Sequence, residues 1–446
     1  MTIDCLIVSA NQVVTPYPVY PLGVAHLLGA MAETSHRVTH FDILAGGGLD
    51  GLRELLTKNR FDLIGVSIRN IDTVDSSVSD GCLVEIKETI QLIRSLSSAK
   101  IALGGPGFSI MPEDLMNAFG ADYGVVGAGE ILLPWLADQI GMGKPPAEWL
   151  FVSKPDEAVW VKPVFSEQVA PYYLEHGGML NVQTKRGCPY RCTYCTYPQI
   201  EGSTIYYRDP EEVADEVDRL TRMHGARYIF FTDGVFNDAK GHFRLVAEAL
   251  LRRGNKTPWC AFFRPQGLEQ EDFDLLKDSG MSAMELGTDA GCDKTLAAMD
   301  KGFVFDDVLR IDKMASDAQM PCAHFVMFGG PDEDRQTLNE GLANMDKLEK
   351  SMVFAFAGIR ILPGTKLHAQ AIADGVISAD QLLLEPTYYF SPKLKGIDLD
   401  KEITEAFDGR MNRVYPCSHM TKQLAMLHDM GHIGPLWDSL VRSRLK

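Results

Sequence analysis

Twice along this chain of 446 residues, short apolar runs alternate with amphipathic helical patterns, and that alternation restricts the fold more than any other feature. Strands that are apolar on both faces must be covered on both faces, which calls for parallel sheets flanked by helices. The first series runs from Cys5–Val8 through LGVAHLLGAMAE, HRVTHFDIL, GLRELLTKN, DLIGVSI, LVEIKETIQLIRSL, KIALGG, EDLMNAFG and YGVVGAG to ILLPWLADQI. Its five strand signals predict a doubly wound, Rossmann-like α/β sheet over residues 1–142, with ligands at the carboxyl ends of its strands. Residues 143–176 lose periodicity and gain prolines, as expected of a linker that wraps rather than packs. A second series places strands at MLNVQTK, ARYIFFTD, WCAFFRP, MSAMELGT, PCAHFVMFG and VFAFAGIRILP. Six β/α units over 177–375 predict a partial (β/α)6 barrel of the TIM type, with chemistry at the strands' carboxyl ends. Residues 376–446 carry the loop EPTYYFSP and a helical pattern near TKQLAMLHDM, and read as a small C-terminal cap.

Composition narrows the functional classes. With 46% apolar and 23% charged residues the chain belongs with globular proteins. No run of about 18 uncharged apolar residues is available to span a bilayer. The segment MTIDCLIVSANQ lacks the basic stretch and apolar core of a secretory signal, so a cytoplasmic location is expected. Forty-three basic against sixty acidic residues give a net charge of -17, which would repel a phosphate backbone and argues against nucleic acid as a partner. Nine cysteines are an odd number for a disulfide framework.

Three of those cysteines fall within eight residues. The passage TKRGCPYRCTYCTYP places Cys188, Cys192 and Cys195 after the first barrel strand with spacing C-x3-C-x2-C. Three thiolates on one short loop can occupy three corners of a four-iron cluster, leaving one iron open to another ligand. Gly187 and Pro189 suit a loop folded tightly around a bulky inorganic group. Zinc is the competing reading, but it normally takes four nitrogen or sulfur ligands, and neither His176 nor His224 has the expected spacing.

With this loop the sequence resembles the radical S-adenosylmethionine (SAM) superfamily. The resemblance implies a [4Fe-4S] cluster on Cys188, Cys192 and Cys195, SAM as cofactor, and an external electron donor such as flavodoxin or ferredoxin. Tyr194 occupies the position where the family places an aromatic against adenine; a packed loop aromatic is the alternative. TDGVFN resembles the end of the second strand and makes Asp233 and Asn237 candidates to face the site. MELGTDAG resembles the end of the fourth, bringing Glu285 and Asp289 toward SAM, although Asp289-Ala290 stands where the family often has Glu-Ser. FVMFGGPDE and ILPGTKL resemble the fifth and sixth strands. Arg264 in FFRPQ is a candidate partner for a carboxylate, with an ordinary salt bridge as the alternative.

The first 142 residues resemble the cobalamin-binding domain that precedes the barrel in one branch of the superfamily, the branch of class B methyltransferase-like enzymes. YPLGVAHLLGAMAE, GVSIRN, GGPGFS and VVGAGE carry this likeness, and glycines at strand ends let a backbone approach a flat corrin. Ser67, Gly105, Ser109 and Gly129 are the implied cobalamin contacts, and Arg69 is a candidate to sit beneath or beside the corrin, with a surface arginine as the alternative. The D-x-H-x-x-G sequence of cobalt-ligating histidines is absent. The implied reaction is methylation of an unactivated carbon, or of phosphorus, by methylcobalamin with a 5′-deoxyadenosyl radical. Radical rearrangement, cyclisation or ring contraction, with cobalamin absent or not donating methyl, is the enzymatic alternative; a cobalamin or cluster carrier is the non-enzymatic one. Small molecules and peptides both remain open as substrates.

Overall fold

The computed structural model describes residues 1–14, 17–78, 82–153, 159–442 and 445, with the side chains of 419 and 421–423 left aside. Two parallel sheets dominate it. The first contains β1 (Asp4–Ser9), β2 (Arg37–Asp42), β3 (Leu63–Ser67), β4 (Lys100–Gly104), β5 (Tyr123–Val126) and β6 (Leu150–Val152) in the order β2-β1-β3-β4-β5-β6. Five of these strands were expected. The sixth comes from the segment read as an unpacked linker, which also supplies the helix Ala170–Gly177 and the core residues Phe165, Val169 and Tyr173. A three-residue strand among prolines is too short to show a period, which is why it escaped detection. Part of that segment, 154–158, lies outside the described residues.

β1 and β3 are neighbours whose connections leave in opposite directions, to β2 on one side and β4 on the other. Such a reversal opens a crevice at the strands' carboxyl ends. Ser9 and Ser67 end the two strands there, paired in register.

The second sheet curves as a partial barrel. β7 (Met179–Val182) leads into a small antiparallel pair, β8 (Lys185–Arg186) with β9 (Tyr206–Tyr207), and then come β10 (Tyr228–Phe231), β11 (Trp259–Phe263), β12 (Met281–Asp289), β13 (Cys322–Phe328) and β14 (Met352–Ala357). β15 (Ile359–Arg360) and β16 (Tyr388–Tyr389) pair antiparallel beyond it, and β17 (Arg413–Val414), from the expected cap, adds a seventh strand next to β14. All ladder pairs within the large sheet are parallel.

Side chains alternate along these strands. Ala261, Phe263, Met284 and Leu286 point outward and pack with Phe243, Val246 and Leu250 of the helix His242–Arg252. Cys260, Ala283, Ala323, Met352 and Phe354 point inward, and Trp437 of the helix Trp437–Arg442 closes that interior from below. On the outer face the helix Pro210–His224, between β9 and β10, begins at an Asp209 cap that accepts from Glu211 N and buries Val213, Val217 and Leu220 against the sheet. Among the described residues, no helix is long and apolar enough to cross a membrane.

Candidate functional site

A cavity of about 420 Å³ lies at the carboxyl end of the first sheet, and barrel residues form its far wall. Ser67, Arg69, Gly105 and Gly129 line it, together with Asn181, Gln183, Arg186 and Thr232 from the barrel side. Gly105 has φ +98°, and a Cβ there would meet the Ile68 carbonyl at 2.6 Å, so the loop after β4 requires glycine. Ser109, an expected contact, does not line the cavity. Its hydroxyl donates to Gly105 O at 2.9 Å and accepts from Gly127 N at 2.9 Å, bracing two cavity loops from behind.

The same cavity runs down between the sheet and the helices Leu22–Ala32 and Leu132–Gly141, past Gly65, Ala102 and Leu133. A Cβ on Gly65 would project into it with nothing nearer than 3.9 Å, so the missing side chain leaves a slot. Sequence reasoning passed over Gly65, although a glycine inside the apolar run DLIGVSI was the available signal. A broad mouth above a narrow apolar slot fits a corrin with its nucleotide tail. Arg69 belongs to this cavity and not to the outer surface: its Nη1 donates to Val19 O at 2.9 Å and its Nε to Asn70 Oδ1 at 2.7 Å. Burial pulls its pKa down, and among the described residues no carboxylate pairs with it.

The cysteine loop follows β7 and is fixed at both ends. Gly187, with φ +91°, donates its N–H to Glu201 Oε2 at 3.1 Å, and Cys188 N donates to Gly202 O at 3.0 Å. Thr193 N donates to Met299 O at 3.0 Å, tying the loop to the barrel wall. Burial raises the pKa of Cys188 and pushes Cys195 up to about 11, while Lys301 draws both back. Such thiols need added positive charge to ionise, which a metal centre supplies. Their spacing separates two kinds of centre. Sulfurs around one tetrahedral zinc lie about 3.8 Å apart, given Zn–S bonds of about 2.3 Å. Among the described residues the donor set gathered within 4.8 Å is Asp312, Cys322 and His324, not the three loop cysteines. The wider loop trio fits an iron–sulfur cluster better than a single ion.

Beside that loop the structure brings together three of the expected SAM contacts. The Tyr194 hydroxyl donates to Asp289 Oδ2 at 2.6 Å, and Asp289, at φ +62°, forms an ion pair with Lys301. Lys301 was not foreseen; no motif marks it, and only the folded chain carries it to Asp289. Burial opposes its charge, yet Asp289 and the Cys192 sulfur outweigh that and leave its pKa raised. Arg264 stacks its guanidinium 3.9 Å from the Tyr190 ring centroid and 4.9 Å from that of Phe303, with Nε donating to Gln266 Oε1 at 2.9 Å. No ion pair holds it among the described residues.

Three other expected contacts are placed elsewhere. Asp233 is fully buried, accepting from Thr184 N at 2.7 Å, Thr184 Oγ1 at 2.5 Å and Lys185 Nζ at 3.1 Å, so it anchors the start of the cysteine loop from behind. Asn237 spends its amide on the backbone of Arg264 and Gln266. Glu285 sits deeper in the barrel interior, where Trp437 Nε1 donates to its Oε1 at 3.2 Å and burial pushes its pKa up to about 7. Strand position alone could not tell these roles apart, because a polar residue near a strand end serves a ligand or a neighbouring loop equally well.

Comparison with known proteins places these features. The family model described as the B12 binding domain matches residues 9–137, and that of the Radical SAM superfamily matches residues 182–342. A tryptophan 2-C-methyltransferase of Streptomyces laurentii is 23% identical over 435 residues, covering 80% of this chain and 72% of its own. The radical SAM methyltransferase TsrM of Kitasatospora setae, solved with cobalamin and a [4Fe-4S] cluster, superimposes with a TM-score of 0.84 at 23% identity over 100% of this chain and 99% of that one. The cobalamin-dependent SAM radical enzyme OxsB, solved with aqua-cobalamin and SAM, gives 0.69 at 16% identity over 99% and 70%. With a cobalamin-type cavity in the first sheet, a three-cysteine loop on the barrel and both family signatures in order, the chain is a member of the B12-binding radical SAM enzymes.

Proposed function

We propose that this enzyme methylates an unactivated carbon or phosphorus centre of a small molecule. The observation that carries the reading is the shared wall between the two sites. Asn181, Gln183 and Thr232 line the cavity of the first sheet, and they belong to the strand ends that lead into the cysteine loop and its anchors. A substrate in the barrel would therefore face both sites at once.

In this reading Cys188, Cys192 and Cys195 hold a [4Fe-4S] cluster, Tyr194, Asp289, Lys301 and Arg264 surround SAM, and Arg69, Gly65, Ser67, Gly105 and Gly129 receive cobalamin. When bound, these groups supply a one-electron route to a substrate radical and a transferable methyl group. The protein's part is positional. Asp289 and Lys301 present one charge of each sign to the two ends of an amino acid moiety, and this offers an alternative to the carboxylate contact of the absent serine. Asp233 and Lys185 keep the cysteine loop in place, while the aromatic residues of the barrel exclude water from reactive intermediates. Electrons come from an external donor such as flavodoxin or ferredoxin.

The test is a single turnover with labelled SAM on anaerobic, cobalt-loaded, reduced protein. Release of S-adenosylhomocysteine, about one per cobalt, is the expected outcome. Deoxyadenosine without S-adenosylhomocysteine would overturn methylation and favour rearrangement chemistry.

A further inference from the structure

Outside the two cofactor-type sites, one buried cluster joins three residue types that hold transition metals. Cys322 and His324 stand two residues apart on β13, so both side chains leave the outer face of the strand, where the helix Phe305–Asp317 covers the sheet and contributes Asp312. One ligand atom from each of the three lies within 4.8 Å of the others. His324 Nε2 is 3.0 Å from Asp312 Oδ1 and 3.7 Å from Cys322 Sγ. Ser351, just before β14, donates its hydroxyl to Asp312 Oδ1, and the Cys322 sulfur is its other partner. Cys322, His324 and Ser351 are all but fully buried, and Asp312, at 8% exposure, is the group nearest solvent.

These separations are those of donors around one small cation. In a tetrahedron with a Zn–S bond of about 2.3 Å and Zn–N and Zn–O bonds of about 2.0–2.1 Å, nitrogen lies about 3.6 Å from sulfur and about 3.3 Å from oxygen. The second nitrogen of the imidazole is already engaged. His324 Nδ1 lies 2.8 Å from Thr288 Oγ1, and in the tautomer that donates to this hydroxyl the lone pair of Nε2 is left for a metal. Charge points the same way. Among the described residues no Lys or Arg pairs with Asp312, and a carboxylate so placed is costly without a counter-charge. One dication, one carboxylate and one thiolate sum to zero. A proton shared between His324 and Asp312 is the competing arrangement; it would satisfy the carboxylate but makes no use of the thiol beside Nε2.

We propose that Asp312, Cys322 and His324 bind a structural zinc ion, with the Ser351 hydroxyl completing the shell. Thiolate and imidazole donors select zinc over magnesium or calcium, and such a site prefers zinc to iron(II). Binding takes the proton from the Cys322 thiol and releases it to solvent. The ion ties the helix Phe305–Asp317 to β13 and to the start of β14. Through Thr288 it also braces the end of β12, one residue before Asp289. Neither the cysteine loop nor the cavity of the first sheet takes part, so the proposal stands apart from the methyl-transfer reading.

The test uses the anaerobic holoenzyme, its cysteine loop filled with iron and sulfide and its first domain with hydroxocobalamin. Zinc sulfate is added, weakly held ions are removed by desalting, and zinc is counted alongside iron and cobalt. About one zinc per chain should be retained. Its X-ray absorption edge should show one sulfur neighbour at about 2.3 Å, with nitrogen and oxygen neighbours at about 2.0–2.2 Å. Cys322→Ala and His324→Gln should each lower the retained zinc by about tenfold or more while iron content holds. Zinc should raise the melting temperature of the wild type and of neither variant. A holoenzyme that retains no zinc would overturn the proposal. So would zinc with several sulfur neighbours, which marks the cysteine loop instead, or with none. Should both variants fold poorly, the neighbours counted on the wild type decide alone.

Discussion

Lys301 and Asp289 show how much of the site depends on single charges. Each is buried, and each has the other as its ionic partner. Lys301→Met would leave the Asp289 carboxylate without a counter-charge, a change that costs about 3–5 kcal/mol for buried pairs. Thermal unfolding should report that loss, and equilibrium binding should show weakened SAM affinity; the double variant Lys301→Met/Asp289→Asn should recover stability but not SAM binding. The cysteines give a cleaner prediction. Replacing any one of Cys188, Cys192 and Cys195 by Ala should abolish the cluster's visible absorbance, and an unchanged iron content would refute their assignment as ligands. Glu285 makes a prediction about pH. Its pKa is raised from 4.5 to about 7, so the folded state favours the protonated acid. The sign follows: this contribution to stability is complete below pH 4.5 and is lost as pH rises through about 7. Glu285→Gln, which cannot ionise, should therefore gain stability relative to the wild type between pH 5 and 8, by at most about 3 kcal/mol. A difference in melting temperature that stays flat over that range would show that the carboxyl is not buried in this way.

The strands and loops divide into those readable from sequence and those that are not. The apolar runs that became β1 to β5, β7 and β10 to β14 were legible because each is flanked by an amphipathic helix that fixes its role. The cysteine loop was legible because its spacing is itself a geometric statement. β6 and β17, at three and two residues, carry no period and join their sheets through tertiary context. The inward face of the barrel was hidden for another reason. β10, β11, β13 and β14 are apolar at nearly every position, so sequence cannot say whether Phe262 or Phe263 faces inward. The roles of Asp233 and Asn237 were likewise concealed, since both act on neighbouring loops that only folding brings near. The slot beside Gly65 in β3 is testable directly. Gly65→Val suits a strand and has room for its Cβ, but its branches enter the slot. Cobalt content should drop several-fold while iron content holds, and full cobalt loading would remove the slot from the site.

Taken as one body, the molecule sets two cofactor-type sites against a common interior. Arg360 of β15 pairs with Asp72 at 2.6 Å, both buried, and Arg186 pairs with Glu130 at 2.6 Å, so the barrel and the first sheet are clamped at two places. Tyr173, from the segment between the two sheets, donates to Asp42 at 2.9 Å and adds a third tie. These contacts hold the cavity mouth against the barrel opening. That arrangement is what a methyl transfer between two cofactors and one substrate requires, and it makes the stoichiometry of loading decisive. The measurement is anaerobic reconstitution with iron, sulfide and hydroxocobalamin, then desalting and metal analysis. About four irons and one cobalt per chain are predicted. Iron without cobalt would contradict the account, leaving a radical barrel with the first sheet as its scaffold.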